Sequence, residues 1–486
     1  MFYKLRLCEH SDGSSVIAQR VHESPSSASD SPIGGTAPRG TVRPARFEGV
    51  TLMTTAGETG QMIAEKPRGR NRARRAVLAA TAGNTLEWYD LTSYGFFAVS
   101  ISKAFFPAGD PALSLMLAFG AFGVSYLVRP LGALVLGPYA DRTGRKASLL
   151  LTIRLMMIGT LLIALMPTYE SIGMAAPVLI LVARLLQGFS AGGEFGSATA
   201  FLAEQAPERR GFMASWQFAS QGLATLLAAT FGTVLSLTLS GPQLDSWGWR
   251  IPFLIGLLIG PVGYVIRRQV PETPEFVDAA EAGEAATTPV RQVLREQKLR
   301  VLLMVGALVM STSVTYVIVY MPTYAHEVLG LPPSAGFIGA AVSGVALTTV
   351  TPLIGHLSDR VGRVKIMLLA GTAMVLSIYP LFLLLSGSPS LLVMGVVMFI
   401  LGVLKACYFG ALPALMSEAF PTATRSTGLS LSYNIGVMSF GGFAPVIITW
   451  MIGATGSHLS PSFYIMAAGA LSIASLLASR RFLALR

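Results

Sequence analysis

The chain has 486 residues, of which 52% are hydrophobic and 13% charged, with a net charge of +11 and a mean hydropathy of +0.59. That balance excludes an ordinary soluble domain. The basic excess sits in short connections and at the ends, so it does not read as a nucleic-acid surface, and two cysteines, Cys8 and Cys407, give no framework for a disulfide or a metal site.

Residues 1–66 are rich in Ser, Gly, Pro, Ala and Arg and are expected to form a disordered tail, because they have too little apolar surface to bury. They lack the apolar core of a secretory signal peptide, and Met53 or Met62 is an alternative start. A basic run follows (Lys66, Arg68, Arg70, Arg72, Arg74 and Arg75), the pattern of an anchor beside a first membrane span.

Apolar runs of about 18–25 residues, each long enough to cross a bilayer core, then recur. They predict spans at about 76–100, 112–137, 147–167, 177–203, 212–238 and 249–268. After a polar gap they continue at about 300–324, 334–356, 364–386, 390–415, 427–452 and 461–482. The expectation is an all-α integral membrane protein of twelve helices in two six-helix bundles, 67–268 and 300–486. A charged linker, 269–299, with an amphipathic piece joins them. With the N-terminus in the cytoplasm, most loop Arg and Lys residues fall on one side, among them Arg142, Arg145, Lys146, Arg209, Arg210, Arg267 and Arg268. The opposite loops hold little beyond Lys103 and Arg250. Both termini are therefore expected in the cytoplasm. The chain is further expected to be a monomer in a bacterial inner membrane.

Two loops match in detail. Gly137 to Lys146 reads GPYADRTGRK, and Gly355 to Lys365 reads GHLSDRVGRVK. Asp141, Arg142, Gly144 and Arg145 correspond to Asp359, Arg360, Gly362 and Arg363, a constant offset of 218 residues (141 to 359, 144 to 362, 145 to 363). The membrane part is thus two related halves. Gly144 and Gly362 suit a turn with positive φ. Asp141 and Asp359 can face the positive N-terminal end of the following helix or pair with a nearby Arg. Contacts of that kind hold helices together in one state and release them in another, which makes the two loops a candidate gate. A plain polar turn is the alternative.

Ionisable groups inside spans are costly and mark pathways or pairs. Glu87 and Asp90 lie three apart on one helix face. Arg129 stands twelve residues before Asp141, about 18 Å into the bilayer. Arg184 and Glu194 fall on the fourth span, and Lys405 on the tenth, at the repeat position of Gln187. Arg129, Arg184 and Lys405 supply positive charge suited to carboxylates, Arg as a bidentate fork. Glu87, Asp90 and Glu194 are candidate proton carriers, since a low-dielectric site favours a neutral carboxyl. Gln187, Tyr94 and Tyr320 are candidate substrate contacts. A static salt bridge of Arg129 with Glu87 or Glu194 is the competing reading, and a hydrogen-bonded structural carboxylate is that for Asp90. Gly188, Gly192 and Gly196, four apart, read as a close-packing stripe. Arg154 reads as a snorkelling or gate-network residue.

The doubled loop resembles that of the major facilitator superfamily. Glu204-Gln-Ala-Pro207 with Arg209, Arg210 and Gly211 echoes Glu418-Ala-Phe-Pro421 with Arg425 and Gly428. Arg184-Leu-Leu-Gln187-Gly188 resembles the fourth-helix motif whose Arg is associated with proton coupling there. Gly83-Asn-Thr-Leu-Glu87-Trp-Tyr-Asp90, Arg129-Pro130-Leu-Gly132, Gly192-Gly193-Glu194, Gly248-Trp249-Arg250-Ile-Pro252-Phe253 and Pro271-Glu272-Thr273-Pro274 look like the metabolite–proton symporters. The local matches Arg184 to Gly192 and Val319-Tyr320-Met-Pro322-Thr-Tyr324 are most like the citrate and tricarballylate symporters. The resemblance implies uptake of a small organic anion with protons by alternating access, with the proton as coupling ion and no other cofactor. Symporters for α-ketoglutarate or another dicarboxylate, shikimate, or proline and betaine are the alternatives within the class. A non-transporting metabolite sensor is the alternative outside it. An enzyme is disfavoured because no clustered His, Cys or nucleophile–base set is present.

Overall fold

The computed structural model describes residues 68–485, except 144, 205, 270–289 and 422–423. The tail at 1–66, Gly144 and most of the linker therefore lie outside the described residues. So do the surroundings of Gly137 and the side chains of Asp141, Arg142 and Arg145.

Twelve spans run through the described residues. In the first half they are α1 (Arg68–Phe96), α2 (Pro111–Leu127 and Arg129–Thr143), α3 (Arg145–Leu165), α4 (Ala175–Ala191 and Glu194–Glu204), α5 (Arg210–Thr238) and α6 (Ile251–Gln269). In the second half they are α7 (Lys298–Thr323, ending in a π-helical turn at Tyr324–Val328), α8 (Pro333–Val361), α9 (Arg363–Gly387), α10 (Leu391–Phe409 and Leu412–Ala419), α11 (Arg425–Phe440 and Ala444–Thr455) and α12 (Ser460–Phe482). Ten helical stretches among them are long and apolar enough to cross a membrane. The apolar part of α3, Leu150–Leu165, is shorter, and α1 is too polar to count.

The solvent that this pattern fits is lipid. Leu258, Leu376 and Leu392 are 72–77% exposed, while Arg129 and Arg184 are 1% and 0% exposed. Apolar groups outside and charge inside is the arrangement a hydrocarbon surround stabilises.

Several spans are broken where the sequence suggested single helices. Pro130 lacks an N–H and its ring crowds the Tyr126 carbonyl, so α2 bends at Val128. In α4 the break falls at Gly192–Gly193, and in α10 at Gly410–Ala411, the same 218-residue offset. In α11 it falls at Gly441–Phe443. Each break frees backbone groups that need partners in lipid. The Gly192 carbonyl accepts from Asn434 Nδ2 of α11 at 2.9 Å, and the Phe440 carbonyl accepts from the Tyr464 hydroxyl of α12 at 2.6 Å.

The glycine stripe sets the spacing of α2 and α4. A Cβ on Gly188 would lie 1.9 Å from the Ser125 carbonyl oxygen, and one on Gly192 1.9 Å from that of Arg129. The two backbones touch along this stripe. The halves meet along α5 with α8, and along α2 and α4 with α11. A short helix, Val290–Glu296, supplies the expected amphipathic piece of the linker, with Val293 buried and Arg291 and Arg295 exposed.

Candidate functional site

The buried charges of the first half form two adjoining clusters. In the first, Arg184 Nη1 donates to Gln187 Oε1 at 2.8 Å, and Gln187 Nε2 donates to Thr160 Oγ1 at 3.1 Å. Thr160 in turn donates to Asp90 Oδ2 through a short hydrogen bond. Every donor in this chain points toward the Asp90 carboxylate. Arg184 Nη2 also reaches Ser125 Oγ at 3.4 Å. The guanidinium lies against two rings that stack on each other, 4.4 Å from the Tyr94 centroid and 4.9 Å from that of Phe122. This stacking holds a cation where water is excluded. The Tyr94 hydroxyl is itself fixed by the Ala118 carbonyl at 3.2 Å. Asp90 Oδ1 and Arg184 Nε are buried without hydrogen-bond partners.

The second cluster is Arg129 over the Tyr126 ring at 4.3 Å, with Nη2 4.0 Å from Glu87 Oε1. The anticipated pairing of Arg129 with Glu87 is thus present at the edge of ion-pair range. Glu87 and Asp90 share α1 but serve different neighbours, α2 for the first and α3 for the second. Three residues along a helix leave side chains about 60° apart, enough to split them between two partners.

A small cavity lies one ring beyond. It is lined by Trp88, Phe218, Gln221, Tyr316, Phe409 and Tyr433, with Leu308, Thr312, Thr315 and Val437, and offers room for about one water (about 10 Å³). Tyr126 packs edge-on against Tyr316 at 5.5 Å and Phe122 does so at 5.8 Å, so the Arg clusters and the cavity share a wall. Phe218 stacks on Phe409 at 4.1 Å, and Lys405 Nζ sits 4.7 Å from the Phe409 centroid.

Both ends of the cavity are closed by contacts between the halves. At the end carrying the repeated loops, Asp359 accepts from the Gly211 and Phe212 backbone N–H groups at 2.8 and 3.1 Å, and so caps the N-terminus of α5. The expectation offered this acid its own following helix or a nearby Arg. The helix that it caps instead belongs to the other half, while the nearby Arg is present as Arg363. It pairs with Asp359 at 2.7 Å and Glu418 at 3.1 Å, and donates to the Ser358 carbonyl at 2.7 Å. Gly362, at φ 103°, makes the turn as anticipated. Beside it Arg425 joins Glu204 across the halves at 2.7 Å. Arg360 is exposed. At the opposite end Phe96 and Phe97 pack on Phe337, at 6.0 and 5.3 Å, and Phe119 packs on Tyr320 at 5.5 Å.

Among the expected site residues, Arg184, Gln187, Tyr94 and Asp90 come together directly, and Arg129 and Glu87 adjoin them. Lys405 reaches the cavity wall through Phe409. Tyr320 stands one turn past Tyr316, in the aromatic seam, where its hydroxyl accepts from Thr449 at 3.1 Å. Glu194 opens the second segment of α4 and is half-buried. Arg154 donates to the Tyr264 hydroxyl of α6 at 2.7 Å, on the exposed surface. Thr160, Ser125, Phe122 and Tyr126 complete the site and were not foreseen. Only the hydroxyls of Thr160 and Ser125 inside apolar runs gave a signal for them.

Comparison with known proteins agrees with this architecture. The family model of the Major Facilitator Superfamily matches residues 85–435 and 333–484. A citrate-proton symporter of Klebsiella pneumoniae is 39% identical over 391 residues, 80% of this chain and 88% of that protein. A proline/betaine transporter of Escherichia coli strain K12 is 34% identical over 408 residues, 81% of each. The solved structure of the xylose transporter XylE from E. coli, in a partially occluded inward-open conformation, matches with a TM-score of 0.66. It is 18% identical, covers 85% of this chain and 98% of its own, and so speaks to the fold.

Proposed function

The chain belongs to the major facilitator superfamily, and we propose that it is a proton-coupled symporter that takes up citrate or a related tricarboxylate by alternating access. The observation that carries this is the donor chain from Arg184 through Gln187 and Thr160 to Asp90. It ties a buried guanidinium to a buried carboxylate without direct contact. While Asp90 is ionised, it is the acceptor on which each donor in the chain is oriented, and Arg184 is held against Gln187. A proton arriving on Asp90 removes its charge and weakens that acceptor, the Thr160 hydroxyl is free to turn, and Arg184 is released to form a bidentate pair with a substrate carboxylate. Anion and proton thus load together. Arg129, held by Glu87 in the adjoining cluster, supplies a second cation for a polyanion.

Loading changes the balance between the two closed ends. Opening one end breaks the Asp359 cap on α5 and the Arg425–Glu204 pair, and opening the other separates the aromatic seam at Phe337 and Tyr320. The halves rock about the central site, which faces each side in turn. The distribution of Arg and Lys among the loops supports placing the Asp359 end, and both termini, in the cytoplasm. The identity to citrate-proton symporters supports the tricarboxylate.

A second reading is a symporter for proline or betaine. The aromatic lining of the cavity favours it, since rings accept a quaternary ammonium, as does the identity to proline/betaine transporters. Uptake of labelled citrate into proteoliposomes separates the two, with competition by tricarballylate, α-ketoglutarate, shikimate, proline and betaine. Gradient-dependent citrate accumulation blocked by tricarballylate supports the first reading; accumulation of betaine without citrate supports the second.

A further inference from the structure

We infer that Lys405 selects the charge of the transported molecule, admitting a carboxylate to an aromatic chamber that would otherwise accept an organic cation; this rests on the organic-anion reading above. Five rings wall the cavity: Trp88, Phe218, Tyr316, Phe409 and Tyr433. A chamber of ring faces is chemically suited to a quaternary ammonium. One of those rings, Phe409, carries the ammonium of Lys405 at 4.7 Å and stacks on Phe218 at 4.1 Å.

Lys405 is 3% exposed on α10, and among the described residues no carboxylate lies within ion-pair range of it. A buried ammonium in that setting gains most from an anion brought in from outside. The corresponding first-half position, Gln187, is neutral and engaged with Arg184 and Thr160. The repeat therefore places a cation on the second half alone at this level. Arg184 and Arg129 bind carboxylates from the first half, and Lys405 takes one from the second. A molecule with carboxylates at two ends bridges the halves, whereas the ammonium of a betaine meets a tethered like charge.

The experiment compares wild type, Lys405→Gln and Lys405→Arg in proteoliposomes under an inward proton gradient, each offered labelled citrate and labelled glycine betaine. Loss of one charge-assisted contact raises the citrate KM of Lys405→Gln about tenfold or more and lets betaine enter. Lys405→Arg keeps the wild-type preference. Should Lys405→Gln reconstitute poorly, Lys405→Met, matched to the apolar wall, is read in the same way. Wild type that moves citrate beside a neutral variant with an unchanged citrate-to-betaine ratio overturns the role of Lys405 alone. Wild type that moves betaine, or neither compound, overturns the organic-anion reading and this inference with it.

Discussion

Replacing Thr160 by Val removes one hydroxyl from the middle of the donor chain and little volume. That hydroxyl donates to Asp90 and accepts from Gln187 Nε2 at 3.1 Å. A hydrogen bond to a charged group contributes about 1.5–3 kcal/mol and a neutral one about 1 kcal/mol. The two are not independent, so the loss is about 2–4 kcal/mol, or about 30- to 1,000-fold in the equilibrium that links the proton to Arg184. The effect should fall on coupling. In Thr160→Val proteoliposomes, accumulation of citrate driven by a proton gradient is expected to fall by that factor. Exchange of external for internal citrate, which needs no net proton release, is expected to fall less than about tenfold. Thr160→Ser keeps the hydroxyl and should recover coupled uptake. Thr160→Val that accumulates citrate like wild type would refute the relay. Equal loss of exchange and accumulation would instead make Thr160 a substrate-binding or folding residue.

Two further substitutions probe the frame around the relay. Asp359→Ala removes the acceptor for two backbone N–H groups of α5 and the partner of Arg363; losing such a cap costs about 1–2 kcal/mol in the closed end. The exchange rate should drop about tenfold while equilibrium citrate binding, followed by tryptophan fluorescence, stays within about threefold; lost binding at a normal rate would contradict a gating role. Gly192→Ala would set a Cβ 1.9 Å from the Arg129 carbonyl oxygen, whereas Gly193→Ala meets Leu136 at an ordinary 3.5 Å. Thermal unfolding in detergent should show a loss of about 2 kcal/mol or more for the first and little for the second, and equal melting temperatures would argue against backbone contact between α2 and α4.

Much of the frame was legible because it depends on local pattern. Apolar length gave the spans, and the repeated loop gave two related halves through positions such as Asp359 and Gly362. Arg184 and Gln187 were both expected at the site, and they bond to each other. The stripe of Gly188 and Gly192 announced close packing. Other features depend on which helices meet, and no periodicity reports that. Asp359 finds its partner 147–148 residues away, on α5. Glu87 and Asp90 look like one face but divide between α2 and α3. Thr160 was hidden because a threonine in an apolar helix ordinarily satisfies itself on the carbonyl four residues back. It lies 3.0 Å from that of Met156 as well as against Asp90. The aromatic walls at Phe218, Phe409 and Tyr433 are ordinary buried residues in sequence. Only their convergence on one cavity sets them apart.

The most direct test of proton-coupled anion uptake is the proton itself. Wild-type protein is reconstituted into vesicles with no gradient and a pH-sensitive dye in the lumen, and citrate is added outside. Symport predicts that citrate entry acidifies the lumen, and that Asp90→Asn abolishes the acidification while labelled citrate still exchanges. Citrate entry with no change in luminal pH, or with alkalinisation, would contradict the account.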